Sequence, residues 1–375
     1  MQRRDFLRNA GAAGLGSLLP FSAWAQTPPR RGRSATSVYF DAQGALNGIE
    51  ERDGRPFVTP RLAQAIRERR IDIISATVGD VGNGPDKFRN TIEMIGFSDR
   101  AIAAEPDLLM KVQTAADLGA ARESARLGFI FNLQDTTALD GDVDRVDTFA
   151  GLGIRVIQLT YNKRNLAGDG CLERGNAGLS DFGRQVIARI NRARVVLDLS
   201  HAGQRTVAEG IAASTAPPAI THSGCRALAD LPRNTGDAEM RALAQKGGVF
   251  GLYLMPFLDA RGRQPQRDDL IRHLAHAVNI CGEEHVGIGT DNPFTGYIVN
   301  DQTRADHRRI TEERQRLGIA APGESPEVLL FVEGYNSADR FDRIAFDLSR
   351  RGWRQDRIDK VLGANFLRLF GDVWG

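Results

Sequence analysis

Eight apolar, strand-like runs recur along this chain, and six of them stop at a single polar, chemically capable residue. These six are VYFDAQ ending at Gln43, LGFIFNLQ at Gln134, IRVIQLTY at Tyr161, VVLDLSH at His201, PAITH at His222 and HVGIGTD at Asp291. DIISATVG (Asp72 to Gly79) and GGVFGLYLM (Gly247 to Met255) complete the set. Helix-length segments separate the runs, and strand, helix, strand order repeated in this way is the pattern of a parallel sheet built from βαβ units. Eight such units in 375 residues predict an α/β fold, a (β/α)8 TIM barrel, in which polar residues at the C-terminal ends of strands converge on one mouth. The chemistry is expected at that mouth.

The segment from Asp181 to Arg194 shows how the units are built: Phe182, Val186, Ile187 and Ile190 fall on one helical stripe, and Ser180 can cap the N-terminus. Two segments read as irregular, Asn162 to Gly178 and Pro293 to Pro326. Both follow strand C-termini, so both should overhang the mouth and shape the pocket. Residues 38–375 are expected to form one barrel domain.

The first residues pair Arg3 and Arg4 with Phe6 and Leu7, continue through a weakly apolar stretch and close on Ala23-Trp24-Ala25. Those features predict a twin-arginine signal peptide over residues 1–25, followed by a Pro- and Arg-containing leader over 26–37. The expected location is therefore periplasmic or secreted, with the twin-arginine export machinery as a partner. The stretch from Ala10 to Ala25 is too short and too rich in Gly and Ala for a stable membrane span. Its charges, Arg3, Arg4 and Arg8 against Asp5, account for the chain's formal net charge of +2. No long basic stripe with interleaved aromatics remains, which argues against nucleic acid as a partner. Cys171, Cys225 and Cys281 have no CxxC spacing and form an odd set, so no zinc knot or disulfide framework is indicated; one disulfide stays open in an oxidising compartment. A homodimer is also left open.

His201 and His222 close consecutive predicted strands. Adjacent strands lie about 4.8 Å apart, so two imidazoles there can share one ion at metal–nitrogen distances of about 2.1 Å. His273 and His276 sit in a helical pattern and His285 opens a strand at the opposite rim, so these three read as structural or solvent-facing. Asp291, in GIGTDNP, can be a ligand, a general base for a metal-bound water or the partner of a substrate ammonium, or else cap the following turn. Arg233, in LPRNTGD, can bind a substrate carboxylate in a bidentate way or face solvent.

From GIRVIQLTYNKRNLAGDG through DLSHAG, PAITHSGCRALADLPRN and HVGIGTD the chain resembles the membrane (renal) dipeptidase family of zinc peptidases, most densely between Leu127 and Asp291. The resemblance implies a barrel of the metal-dependent, amidohydrolase-like type that hydrolyses dipeptides at a two-zinc centre and tolerates a D-residue on the C-terminal side. It matches His201 and His222 to the two histidines of one zinc, Arg233 to a substrate-contacting arginine and Asp291 to the aspartate near the catalytic water. Tyr161 falls where many members carry an oxyanion-steadying histidine, and a phenol can donate that hydrogen bond too. Tyr161 and the neighbouring Asn162 are expected to touch substrate.

The chain departs from the family at the other zinc. DAQGA places Gln43 and Ala45 where the first strand supplies His-x-Asp, and FNLQD places Gln134 where the third supplies a bridging glutamate. Amides supply little of the anionic charge that two zincs need. One zinc is expected, on His201 and His222 with Gln134 as a weak third ligand and Asp291 or Glu173 as a carboxylate. The leading reading is an exported dipeptidase-like metallohydrolase of dipeptides or small amides. The alternatives on the same barrel are a metal-free tailoring or maturation enzyme and a periplasmic small-molecule binding protein.

Overall fold

All eight predicted runs form strands. The computed structural model describes residues 37–316 and 320–375; the predicted signal peptide, and the leader apart from Ser37, lie outside the described residues. The strands are β1 (Phe40–Gly44), β2 (Ile73–Thr77), β3 (Leu127–Leu133), β4 (Ile154–Gln158), β5 (Val196–Asp198), β6 (Ala219–Ser223), β7 (Val249–Leu252) and β8 (Val286–Ile288). They follow one another around a single sheet in chain order, and every neighbouring pair is parallel.

The result is a nearly closed barrel of eight parallel strands. At the seam between β8 and β1, hydrogen bonds just past the strands take over from the ladder. Asp291 N donates to Gln43 O at 2.7 Å, Ala45 N to Asn292 O at 3.0 Å and Phe294 N to Ala45 O at 2.8 Å. The buried Asp41 carboxylate adds two more, from Thr290 N at 2.8 Å and Thr290 Oγ1 at 2.6 Å. Arg340, fully buried, donates to the carbonyls of Pro293 (2.5 Å), Phe294 (3.0 Å) and Ser337 (2.8 Å), which fixes the chain as it leaves β8.

The barrel is apolar at one end and polar at the other. At the N-terminal end, Phe40, Ile73, Ile130, Val156, Val196, Ala219 and Val249 form a cluster with Phe366, Leu369, Phe370 and Trp374 of the last helix, Asn365–Trp374. That helix plugs the barrel. Gly287 makes room for it, since a Cβ there would lie 2.4 Å from the Phe366 ring. Truncating one such ring to Ala costs about 3–5 kcal/mol in a packed core, so this end is closed for stability. Toward the C-terminal end the inward positions become Ser75, Asn132 and Gln158, then Gln43, Thr77 and Gln134.

The helix expected from Asp181 runs to Arg192, with Ser180 Oγ accepting Gly183 N at 3.0 Å and Val186, Ile187 and Ile190 buried. Arg194, with φ of 52°, stops it two residues short of the expected end. The segment 293–326 is a larger correction, because it contains a helix, Asp301–Arg316, in which Thr311 is the buried residue. Its surface is polar all round, so it has no apolar stripe for a sequence reading to find. Local pairs hold it instead: Asn300 and Thr303 cap each other's backbone N–H, and Asp306 accepts from Gln302 and Arg309. Three further strands lie outside the barrel repeat. Ile49–Arg52 and Arg55–Val58 form a hairpin turning at Asp53-Gly54, and Leu109–Lys111 pairs with the start of β3. No helix among the described residues is long and apolar enough to cross a membrane.

Candidate active site

Three side chains meet at the mouth. His201, His222 and Asp291 each offer a ligand atom, and these atoms all lie within 4.8 Å of one another. β5 and β6 bring the two histidines together, as their order in the chain predicts: the ring centroids are 5.0 Å apart at 62°. The seam brings Asp291 round from β8. His201 and Asp291 both adopt left-handed backbone, with φ of 61° and 54°, a conformation non-glycine residues hold at a cost and often at functional sites.

Hydrogen bonds fix the tautomer of each imidazole. Asn162 Oδ1 can only accept, so at 2.7 Å it takes the proton of His201 Nδ1 and leaves the lone pair on Nε2. Thr221 Oγ1 spends its own proton on Asp198 Oδ2 at 2.6 Å, so it accepts from His222 Nδ1 at 2.8 Å. His222 Nε2 therefore also carries a lone pair, and it is buried without a hydrogen-bond partner. Burial first, and then the nearby Arg233 guanidinium, hold the His222 imidazole well below its usual range, hence neutral. Asp198 accepts from Ser200 as well as Thr221 on both backbone and side chain, while burial pushes its carboxyl up.

Two imidazole lone pairs and a carboxylate on one point are the donor set of a transition-metal site. The residues fit one divalent cation, with outer-shell partners of the kind that orient ligating histidines. They do not fit two. Gln43 Oε1 accepts from Asn132 Nδ2 at 3.0 Å and its Nε2 donates to Thr77 Oγ1 at 3.2 Å; Asn132 also donates to Ser75 Oγ at 2.8 Å. This neutral amide network fills the β1 to β3 side. Ala45 is exposed and carries no ligand. Gln134 is buried at the end of β3, where its backbone carbonyl accepts from Gln158 Nε2 at 2.5 Å. Glu173, the other carboxylate considered, accepts the Arg164 amide at 3.0 Å inside the overhanging loop.

Tyr161 stacks on His201, with centroids 4.3 Å apart and planes at 24°. Asn162 is engaged with His201 and with Cys171 Sγ at 3.5 Å. Arg233 faces neither solvent nor a carboxylate: it is 3% exposed, lies over the Tyr253 ring and donates from Nη2 to His201 Nε2 at 3.1 Å. His273 receives the Cys225 amide inside the core, and burial pushes its imidazole down to about 4, so its role is structural. His276 pairs with Asp237 at 2.8 Å, and His285 Nδ1 lies 2.8 Å from Gly248 O at the far rim. Asp198 and Thr221 are the functional residues the sequence reading missed, although an Asp inside the apolar run VVLDLSH was a signal for the first.

The sequence pattern of the membrane dipeptidase family, peptidase family M19, matches residues 57–307. The chain is 27% identical over 292 residues to an uncharacterized Klebsiella pneumoniae protein of the pqqA 5' region, covering 75% of this chain and 95% of that protein. It is 25% identical over 291 residues to dipeptidase verJ of Clonostachys rogersoniana, covering 77% of this chain but 66% of the fungal protein. Among solved structures, an amidohydrolase from Pseudomonas aeruginosa superposes with a TM-score of 0.77 at 29% identity, over 91% of this chain and 98% of that one. The M19 dipeptidase AC shares the fold, with a TM-score of 0.70 at 19% identity over 91% of this chain and 99% of that one.

Proposed function

Because the chain belongs to the membrane dipeptidase family of metallopeptidases, a dipeptidase-like group of hydrolases, we propose that it cleaves dipeptides or small amides after export, using one divalent cation, zinc, on His201, His222 and Asp291. The observation that carries this reading is the convergence of one ligand atom each from His201, His222 and Asp291 within 4.8 Å, with both Nδ1 atoms already engaged by Asn162 and Thr221. A cation there would supply Lewis-acid polarisation of the scissile carbonyl and a water acidic enough to attack near neutral pH. Asp291 takes the proton of the attacking water and passes it to the leaving amine. The Tyr161 phenol, held flat against His201, donates a hydrogen bond to the developing oxyanion. Arg233 pairs with the substrate's C-terminal carboxylate. Asn162 and Thr221 keep both Nε2 lone pairs turned into the site. Export rests on Arg3, Arg4 and the Ala23-Trp24-Ala25 cleavage pattern.

The test is hydrolysis of matched free-acid and C-terminally amidated dipeptides by wild type and Asp291→Asn. Turnover of the acids should fall about 10²- to 10⁴-fold in the variant with peptide binding retained, because an amide neither takes the proton nor supplies the anionic ligand. Equal turnover in both proteins would overturn the role of Asp291. A second reading, a metal-free tailoring enzyme or small-molecule binding protein, is favoured by the Arg233 contact to His201 and by the neutral amides of β1 to β3. Binding of dipeptides without any turnover would establish it.

A further inference from the structure

His201 Nε2 has one lone pair, and that lone pair receives an N–H of Arg233 Nη2 at 3.1 Å. A cation held by His201, His222 and Asp291 needs the same lone pair. A donor proton and a cation cannot share it, and a guanidinium so close to a divalent ion also meets like-charge repulsion. The arginine contact and a loaded site are therefore alternatives.

A displaced guanidinium needs somewhere to go, and the structure offers a place. A small cavity of about 20 Å³, room for about one water, lies beside it, lined by His201, Arg233, Gln204, Arg226 and Glu239. Glu239 is only 9% exposed, yet its Oε2 has no hydrogen-bond partner, a costly condition for a buried carboxylate oxygen. Gly236 preserves the space around that oxygen, since a Cβ there would lie 2.5 Å from it. Arg226 lines the same cavity; its Nη2 donates to Pro232 O at 3.4 Å, while its Nε is buried without a partner. We infer that Arg233 is a two-position gate on cation loading: on His201 Nε2 it closes the site, and on Glu239 Oε2, its place in the loaded site before a substrate carboxylate takes it over, it leaves the site open. The inference rests on the single-cation reading above and deepens it by naming what controls loading. Arg233 acts here as a positioning residue, through His201.

The test is titration with cobalt(II), followed by its d–d absorption, of wild type, Arg233→Met, Glu239→Gln and His222→Ala. Arg233→Met should bind cobalt about tenfold more tightly and Glu239→Gln about tenfold more weakly, the effect of one charge-assisted hydrogen bond gained or lost by the competing state. A gain of affinity cannot come from a damaged fold. On the unaltered protein, the ¹⁵N-labelled side-chain signal of Arg233, assigned by its loss in Arg233→Lys, should shift when zinc is added. Equal or weaker cobalt affinity in Arg233→Met, or no shift of the Arg233 signal, would overturn the gate. Wild-type affinity in Glu239→Gln would overturn the second position. Cobalt binding that His222→Ala abolishes but Arg233 does not influence would sink this inference alone, whereas no cobalt binding in any protein would sink the single-cation reading with it.

Discussion

Around the mouth, β1 to β3 present Gln43, Thr77, Asn132 and Gln134, whereas β6 presents His222 and the chain following β5, β6 and β8 presents His201, Arg233 and Asp291. On the first side Gln43, Thr77, Asn132 and Ser75 hydrogen-bond one another, so their polarity is spent internally. On the second, His222 Nε2 is buried with its lone pair unspent. An unsatisfied buried polar atom costs about 1–3 kcal/mol, and a fold that keeps one at the point where three ligand atoms converge keeps it for chemistry. One half of the mouth has become structure. The other remains a site.

The sharpest way to break that comparison is to damage each half in turn. His222→Ala should abolish cation binding while leaving the barrel folded, because the apolar cluster that closes the opposite end of the barrel is untouched. Thr221→Val, which removes the acceptor of His222 Nδ1 together with the hydroxyl that donates to Asp198, should cost about ten- to a hundredfold in cation affinity. Asn132→Leu should do the reverse, lowering stability by about 1–3 kcal/mol through the stranded partners Gln43 and Ser75, with cation affinity unchanged. Equilibrium dialysis and urea denaturation of the three variants decide it. Loss of cation in Asn132→Leu would mean that the amide half takes part in the site.

Restoring charge to the amide half is the next largest step. Gln43→His, Ala45→Asp and Gln134→Glu together should raise the bound cation from one per chain to two, at some cost in stability because the Gln43 hydrogen bonds are lost. Hydrolysis of simple dipeptides should rise with the second ion. Two ions without a gain in hydrolysis would show that the pocket, and not the missing ligands, limits the activity.

The sequence carried this contrast in part. All eight strands were legible because each is an apolar run bounded by polar punctuation, and the termini of those runs placed the site. Gln43, Ala45 and Gln134 could be read as departures, but their mutual satisfaction with Thr77 and Asn132 depends on strand register, which a linear pattern does not contain. The same holds for Arg233, whose contact with His201 spans 32 positions and follows from a loop folding back over β5. The helix Asp301–Arg316 was invisible for the opposite reason: local pairs between its own side chains support it, and periodicity reports only what is buried.

The last expected effect is read as a slope and not as a loss, and it concerns the one acid on β1, Asp41, which staples the seam beneath the amide half. Burial outweighs its hydrogen bonds from Thr290 and the field of Arg340, and pushes its carboxyl up to about 7. The unfolded chain returns it to about 3.9, so between those values the folded state holds the extra proton. Stability should then fall as pH rises from about 4 to about 7, with a slope of up to about 1.4 kcal/mol per pH unit from this residue; the penalty is absent below the window and complete above it. Asp198 and Asp135, also raised by burial, add slope in the same direction. Asp41→Asn removes the first contribution and leaves the others, so its stability profile should be shallower than wild type across the window. Its absolute stability is a poorer readout, because Arg340 loses a favourable neighbour in the same step. Urea midpoints measured at closely spaced pH values give the slope directly. Parallel profiles for the two proteins would mean that Asp41 is ionised in the folded barrel, and that the amide half of the molecule contains a buried charge pair after all.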